Sequence, residues 1–463
     1  MPSLTPLHET YCKWDRRPPS QADVLEGLAQ LVSTSLLGVH DIVQLIYTEV
    51  LKSTFGLNDK QSTHFLKKTK FEIIQKWSYG AIQKYGRYFL APSLRKVVEQ
   101  FPNLYDKPLT PTLHFLVGVL NGVLGDYLVK HQNPLTLPMV LYDHYGELQQ
   151  GDISGRVVIF VHGLCMNHTD WSNRKFSGIG ERLLAQRDHN TMLYLNYNTG
   201  RRISANGRSL SNVLEDFVRR NPNVTSLDLI GHSMGGLVCR SALFYSKQSL
   251  YNWIQMVDNL VCIGSPHHGA ALERFGFSLQ EQLGSYPLVK LIRHLVNIRS
   301  NGILDLRHGS VRDDDWEYLQ ARIGEMDDNR KPAPLPTHIN TFFIAGTVEH
   351  ENAKQNKALR IIGDYLVSIK SALGEHPNPR FQLKLPDTHK AIFYGLNHFE
   401  IQYHSSVAEQ ITHWLYPEHS DYAQHGVQTH MVNLSEQEQS QALQERHKHK
   451  KSDYPAVHTD ELS

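Results

Sequence analysis

Along the first 135 residues apolar positions recur at three- and four-residue intervals. Val24, Leu25, Leu28, Leu31 and Val32 open the pattern, and Leu36, Val39, Ile42, Val43, Ile46 and Val50 continue it. That period marks one face of a helix, and similar spacing returns over residues 65–85 and 93–99. Residues 112–130, TLHFLVGVLNGVLGDYLVK, are the most apolar of all and carry Gly118 and Gly122 four apart. Glycines at that spacing let two helices approach closely, as they do in membrane spans. Asn121 interrupts the run, which reads as too short to span, so a packed helix is expected rather than a membrane-surface anchor. Residues 1–135 are therefore predicted to form a helical N-terminal domain.

The rhythm changes after residue 135. Residues 139–145 alternate loosely, as an edge strand does, and RVVIFV at 156–161 is a β-branched run suited to a strand buried on both faces. Further strands are predicted at 191–197, 227–230, 257–264, 341–345 and 384–393. Helices are predicted at 176–186, at 204–219 with Ser204 as the candidate N-cap, after residue 236, and at 407–415. Strands alternating with helices predict an α/β fold with a mostly parallel sheet flanked by helices, over residues 136–417. Residues 271–335 break the alternation, and PLVKLIRHLVNI at 287–298 is amphipathic. This segment is expected to be a cap or lid insertion. Beyond residue 417 Gln, Glu, Ser, His and Lys dominate, which predicts a disordered polar tail over 418–463.

Composition adds little. The chain has 463 residues, 40% hydrophobic and 20% charged, with a formal net charge of +1. That suits a globular protein and points away from nucleic acid. Its four cysteines show neither a disulfide framework nor metal-ligand spacing, so buried free thiols are expected. The opening segment has no apolar core of a signal peptide, which predicts a cytoplasmic location.

The chemistry gathers around GHSMGG at 231–236. An apolar strand runs into this G-x-S-x-G and a helix leaves it, the strand–turn–helix setting of a nucleophile elbow. Ser233 would sit on a strained turn, where side chains at 231 and 235 would collide with the neighbouring strand and helix. The strand at 156–161 ends in His162-Gly163-Leu164, so the amides of Leu164 and Met234 are candidate oxyanion donors. Asp170-Trp171 is expected to close that loop structurally. The order Ser…acid…His then requires a carboxylate after the strand at 341–345. Glu349 is closest to the strand end, and Asp364 lies further along. His398, in a loop before the last helix, is the candidate base, ahead of His389 and His404. The adjacent His267 and His268 lack a carboxylate at ligand spacing. No metal and no cofactor are predicted.

With these motifs the chain resembles the lipase-like α/β-hydrolases, the group holding bacterial triacylglycerol lipases and GPI inositol-deacylase-like proteins. The resemblance covers residues 139–417 and rests on FVHGL at 160–164, GHSMGG at 231–236, GSPHHGA at 264–270, GDYLV at 363–367 and NHFEI at 397–401. In that group the acid sits in a Gly-Asp-Gly-Leu-Val segment, which ranks Asp364 above Glu349, although Tyr365 replaces the second glycine. The resemblance implies a serine hydrolase cleaving carboxylic esters through Ser233, His398 and Asp364, and the apolar segments at 112–130 and 287–298 point to esters of a lipid-like kind. An acyltransferase or thioesterase would use the same three residues, and a non-catalytic scaffold is the alternative outside enzymes. A small-molecule ester or lipid is the expected partner, with peripheral membrane contact through the N-terminal helices or the lid.

Overall fold

The computed structural model describes residues 17–33, 91–171, 178–184, 191–271, 300–317, 330–349, 363–417 and 428–431. The apolar pattern predicted at 65–85 and the amphipathic segment at 287–298 lie outside these residues. Strands β1 Val140–Tyr142, β2 Ser154–Val161, β3 Thr191–Asn196, β4 Asn223–His232, β5 Val257–Ile263, β6 Asn340–Thr347, β7 Lys390–Tyr394 and β8 Gln428–Met431 form one sheet in the order 1-3-2-4-5-6-7-8. β1 runs antiparallel to β3 and every other pair is parallel. The described helices are α1 Gln21–Ser33, α2 Ala91–Gln100, α3 Pro111–Lys130, α4 Ile179–Leu184, α5 Ile203–Arg220, α6 Met234–Ser249, α7 Asn301–Leu306, α8 Asp314–Glu317, α9 Ile369–Ala372 and α10 Ser405–Leu415.

The strands read as continuous apolar runs because both faces of the sheet are covered. Along β2, Val157, Ile159 and Val161 enter one core with α3, α5 and α6, whereas Val158 and Phe160 enter a second core with α4 and α10. Each large aliphatic side chain so buried contributes roughly 1.5–3 kcal/mol relative to exposure. Within the run at 227–230, Asp228 is the exception. It is fully buried and is held by Arg156 Nε and by Asn259 Nδ2, so its charge has partners.

The strand order reverses across β2, which has β3 on one side and β4 on the other. Loops leaving the C-terminal ends of β2 and β4 therefore flank the crevice where open α/β sheets bind ligands.

Three expectations need correction. First, helix α3 is by length and composition able to cross a membrane, contrary to the reading of its run as too short, yet 67% of its most apolar stretch is buried inside the protein. Asn121 is accommodated rather than disruptive: its Nδ2 donates to Val117 O and Leu135 O, and its Oδ1 accepts from Leu137 N. Second, Ser204 is not the N-cap of α5. The helix begins at Ile203, whose amide donates to the Asp305 carboxylate, and Ser204 Oγ accepts from Trp316 Nε1. A distant carboxylate satisfies the helix end, so no local cap is needed. The described part of the 271–335 insertion packs on helices. Ser300 Oγ donates to Gly122 O of α3, and Ser241 Oγ of α6 donates to Val311 O. Third, within 418–463, Gln428–Met431 joins the sheet as β8. The backbone edge of β7 supplies a pairing partner that composition cannot reveal.

The described helices of the first 135 residues share their core with the α/β unit, since Leu25, Leu28, Leu116 and Leu120 belong to the same buried cluster as β2 and α6.

Candidate active site

At the end of β4 the chain turns through Ser233 with φ 54° and ψ −122°, a conformation L residues avoid. The glycines make the turn possible. A Cβ on Gly231 would come within 2.5 Å of Gly236 N, and one on Gly235 would run into Val161 O and lie 2.7 Å from His162 O. Both obstacles are backbone, which cannot rotate away. The Ser233 amide donates to Ile263 O at 2.8 Å and ties the turn to β5.

Ser233 Oγ lies 2.8 Å from His398 Nε2, and His398 Nδ1 lies 2.7 Å from Asp364 Oδ2. All three side chains are buried, Ser233 with 8% of its surface exposed. A neutral imidazole with Nδ1–H donating to the carboxylate leaves Nε2 free to accept the serine proton. Asp364 is held in turn: its Oδ1 accepts from the amides of Leu366 and Val367, and its carbonyl accepts from His398 N. Tyr365, which stands where a glycine was expected, adopts φ 80°.

Glu349, the competing acid, makes no bond to His398 among the described residues; its carbonyl accepts from Gly395 N. The competing histidines have other work. His389 Nδ1 bonds Thr341 O, and His404 caps α10 by accepting from Ser406 N. Asp170 Oδ2 accepts from Asn167 N, and Trp171 packs on Phe160.

The loop after β2 runs directly beside the serine, since a Cβ on Gly163 would be 3.1 Å from Ser233 Cβ. Leu164 N–H donates to no described residue, and Met234, first residue of α6, has no intrahelical acceptor for its N–H. Met234 follows Ser233 directly, and Leu164 lies in the loop that runs beside it.

Sequence reasoning missed three supports of this arrangement. His232, buried and kept neutral by that burial, bonds His398 O through Nε2 at 2.9 Å. Cys165 adopts φ 62°, and its amide donates to Thr199 Oγ1. Helix α3 backs this bend: a Cβ on Gly122 would lie 2.9 Å from Cys165 Cα, and one on Gly118 would be 3.2 Å from Cys165 O. The glycine pair seen in the sequence therefore receives the loop after β2. No local signal could have named that loop as the partner.

Residues 152–376 match the family model described as PGAP1-like alpha/beta domain. Over those residues the chain is similar to that alpha/beta domain. Three solved structures are among its structural relatives. The mature form of the Bacillus licheniformis lipase BlEst2 is 17% identical, with 59% of this chain and 97% of that one covered at a TM-score of 0.36. The product of the Listeria innocua gene lin2722 is 14% identical, with 61% and 99% covered at 0.33. The peroxisomal alpha-beta-hydrolase Lpx1 of Saccharomyces cerevisiae is 12% identical, with 66% and 88% covered at 0.31. No curated protein matches the chain by sequence. The serine, histidine and aspartate follow the C-terminal ends of β4, β7 and β6, on the edge of the sheet that holds the crevice.

Proposed function

We propose that the protein cleaves carboxylic esters, of a lipid-like kind, through an acyl-enzyme on Ser233. The observation that carries this reading is the continuous chain Ser233 Oγ–His398–Asp364, with separations of 2.8 and 2.7 Å. His398 Nε2 takes the hydroxyl proton as Ser233 attacks the carbonyl carbon, and then gives it to the departing alcohol. Asp364 holds the imidazole in the productive tautomer and stabilises its charged form. The Leu164 and Met234 amides receive the carbonyl oxygen as it becomes an oxyanion, and one such donor is worth roughly 10²–10³ in rate. Water activated by His398 then attacks the acyl-serine, and the serine leaves with the proton.

The test is a fluorophosphonate probe together with p-nitrophenyl esters of increasing chain length. Wild type should label and turn over, and Ser233→Ala should do neither while keeping its unfolding midpoint. A folded wild type that neither labels nor hydrolyses would overturn the reading. A rate that climbs with chain length supports lipid-like acyl groups, and added alcohols or thiols that divert the acyl group would identify a transferase.

A further inference from the structure

A cavity lies on the flank of the elbow helix, away from Ser233. It has a volume of about 80 Å³, and Arg240, His267, Asp315, Arg330, Lys331 and Arg380 line it. At about 30 Å³ per water this holds two or three waters or one tetrahedral oxyanion. Arg240 is seven residues beyond Ser233, about 10 Å along α6 at 1.5 Å per residue.

Arg240 is 7% exposed, yet no carboxylate lies within ion-pair distance of its guanidinium among the described residues. Nη1 lies 3.2 Å from His267 Nδ1, Nη2 donates to Ala333 O at 3.2 Å, and Nε is buried without a partner. Burial lowers this guanidinium only to about 10, so it stays charged at neutral pH. An unpaired buried cation is costly, so a counter-charge is expected.

Asp315 lines the same cavity but its oxygens are committed. Oδ2 accepts from the amides of Val311 and Arg312, and Oδ1 accepts from Lys331 N. Arg330 Nη1 donates to His267 O, Lys331 Nζ pairs with Asp314, and the Arg380 residue is exposed at the rim. His267 accepts from Arg240 at Nδ1, which leaves Nε2 as the protonated nitrogen, and this atom is buried without a partner. Among the described residues that line the cavity, none therefore offers Arg240 a free carboxylate.

We propose that this cavity is a binding site for a phosphate-type oxyanion, with Arg240 and Arg380 as its principal ligands. Planar guanidinium groups present paired donors matched to phosphate oxygens, which favours this class over halide. The oxyanion supplies the counter-charge that Arg240 lacks. Free phosphate and the phosphoryl headgroup of a lipid share this chemistry. The site does not depend on ester hydrolysis at Ser233, and its test reads binding alone.

The full chain is titrated with sodium phosphate, against sodium chloride at matched ionic strength, by calorimetry and by thermal unfolding. Wild type should bind phosphate saturably and gain thermal stability that chloride does not give. Arg380→Glu should weaken phosphate binding at least about tenfold, the scale of one charge-assisted hydrogen bond, with an unchanged unfolding midpoint in chloride. Arg240→Met should abolish binding, and should it fail to fold, Arg380→Glu still decides. Phosphate acting no better than chloride, or binding Arg380→Glu as tightly as wild type, would overturn the proposal. Phosphatidylcholine vesicles with and without phosphatidic acid separate the sources. Retention by phosphatidic acid that Arg380→Glu loses identifies a headgroup, and phosphate binding without retention identifies the free ion.

Discussion

Two loops deliver the hydrogen-bonded carboxylate and hydroxyl to His398, and both pass through a residue at positive φ. At the elbow that residue is Ser233 itself, at 54°, and in the acid loop it is Tyr365, at 80°, one residue beyond Asp364. The elbow is enclosed by backbone: Gly231 faces the start of α6 and Gly235 faces the end of β2. The acid loop is held by side chain to backbone bonds, from the Leu366 and Val367 amides to Asp364 Oδ1, while Tyr365 is only half-buried. The elbow therefore admits nothing larger than glycine two residues to either side of its serine. The acid loop tolerates a tyrosine at an intrinsic cost of roughly 1–2 kcal/mol.

The sharpest way to break this comparison is Gly235→Ala. Its methyl group would meet two backbone carbonyls, so esterase activity should vanish together with a loss of several kcal/mol of stability, on the scale of overpacked cores. Chemical denaturation and probe labelling check both, and a stable, active Gly235→Ala would show that the elbow is not closed by backbone.

Asp364→Asn comes next. It should keep its fold and lose roughly 10⁴ in kcat, because the imidazole would settle in the wrong tautomer. Glu349→Gln should stay within a few-fold of wild type. The reverse ranking would move the acid to Glu349.

The surroundings of the elbow also predict an acid sensitivity. Burial holds His162 and His168 down to about 3 and His114 down to about 4, below the ordinary 6.5. In the unfolded chain these imidazoles bind protons as the pH drops below 6.5, whereas in the folded chain they do not. Their contribution is complete above 6.5 and is lost as the pH falls toward 4, at roughly 1.4 kcal/mol per pH unit for each. Asp170 and Asp305, raised by burial to about 6, act in the opposite sense below pH 6. The urea midpoint should thus fall between pH 6.5 and 5, and a flat profile would contradict buried neutral imidazoles.

The smallest effect is expected at Tyr365. Tyr365→Gly should leave kcat within about twofold and stability within about 1 kcal/mol, since relief of strain offsets lost side-chain contact and chain entropy. Tyr365→Val should destabilise by roughly 1–2 kcal/mol, because a β-branched residue fits positive φ poorly.

The same contrast explains what was legible. A turn that only glycine can line writes itself into the chain, so GHSMGG located Ser233 and its flanking strand and helix. The buried strands were equally plain, because a sheet covered on both faces needs uninterrupted apolar runs. The acid was harder, since a loop held by side-chain bonds to amides leaves no obligatory pattern, and Glu349 and Asp364 both followed the right strand. Helix α3 showed its glycines but not their partner, and in place of a cap at Ser204 the Asp305 carboxylate bonds the Ile203 amide from 102 residues further along the chain.

The amino-acid sequence alone determined the α/β alternation, the elbow at Ser233 and the region before the last helix where His398 sits. These follow from local steric rules and hydrophobic period, which act over a few residues. Tertiary structure decided which carboxylate meets His398, that α3 backs the bend at Cys165, and that Arg240, Arg330 and Arg380 share one cavity. Each of these depends on groups far apart in the chain, and only the packed sheet and its helices set the distances between them.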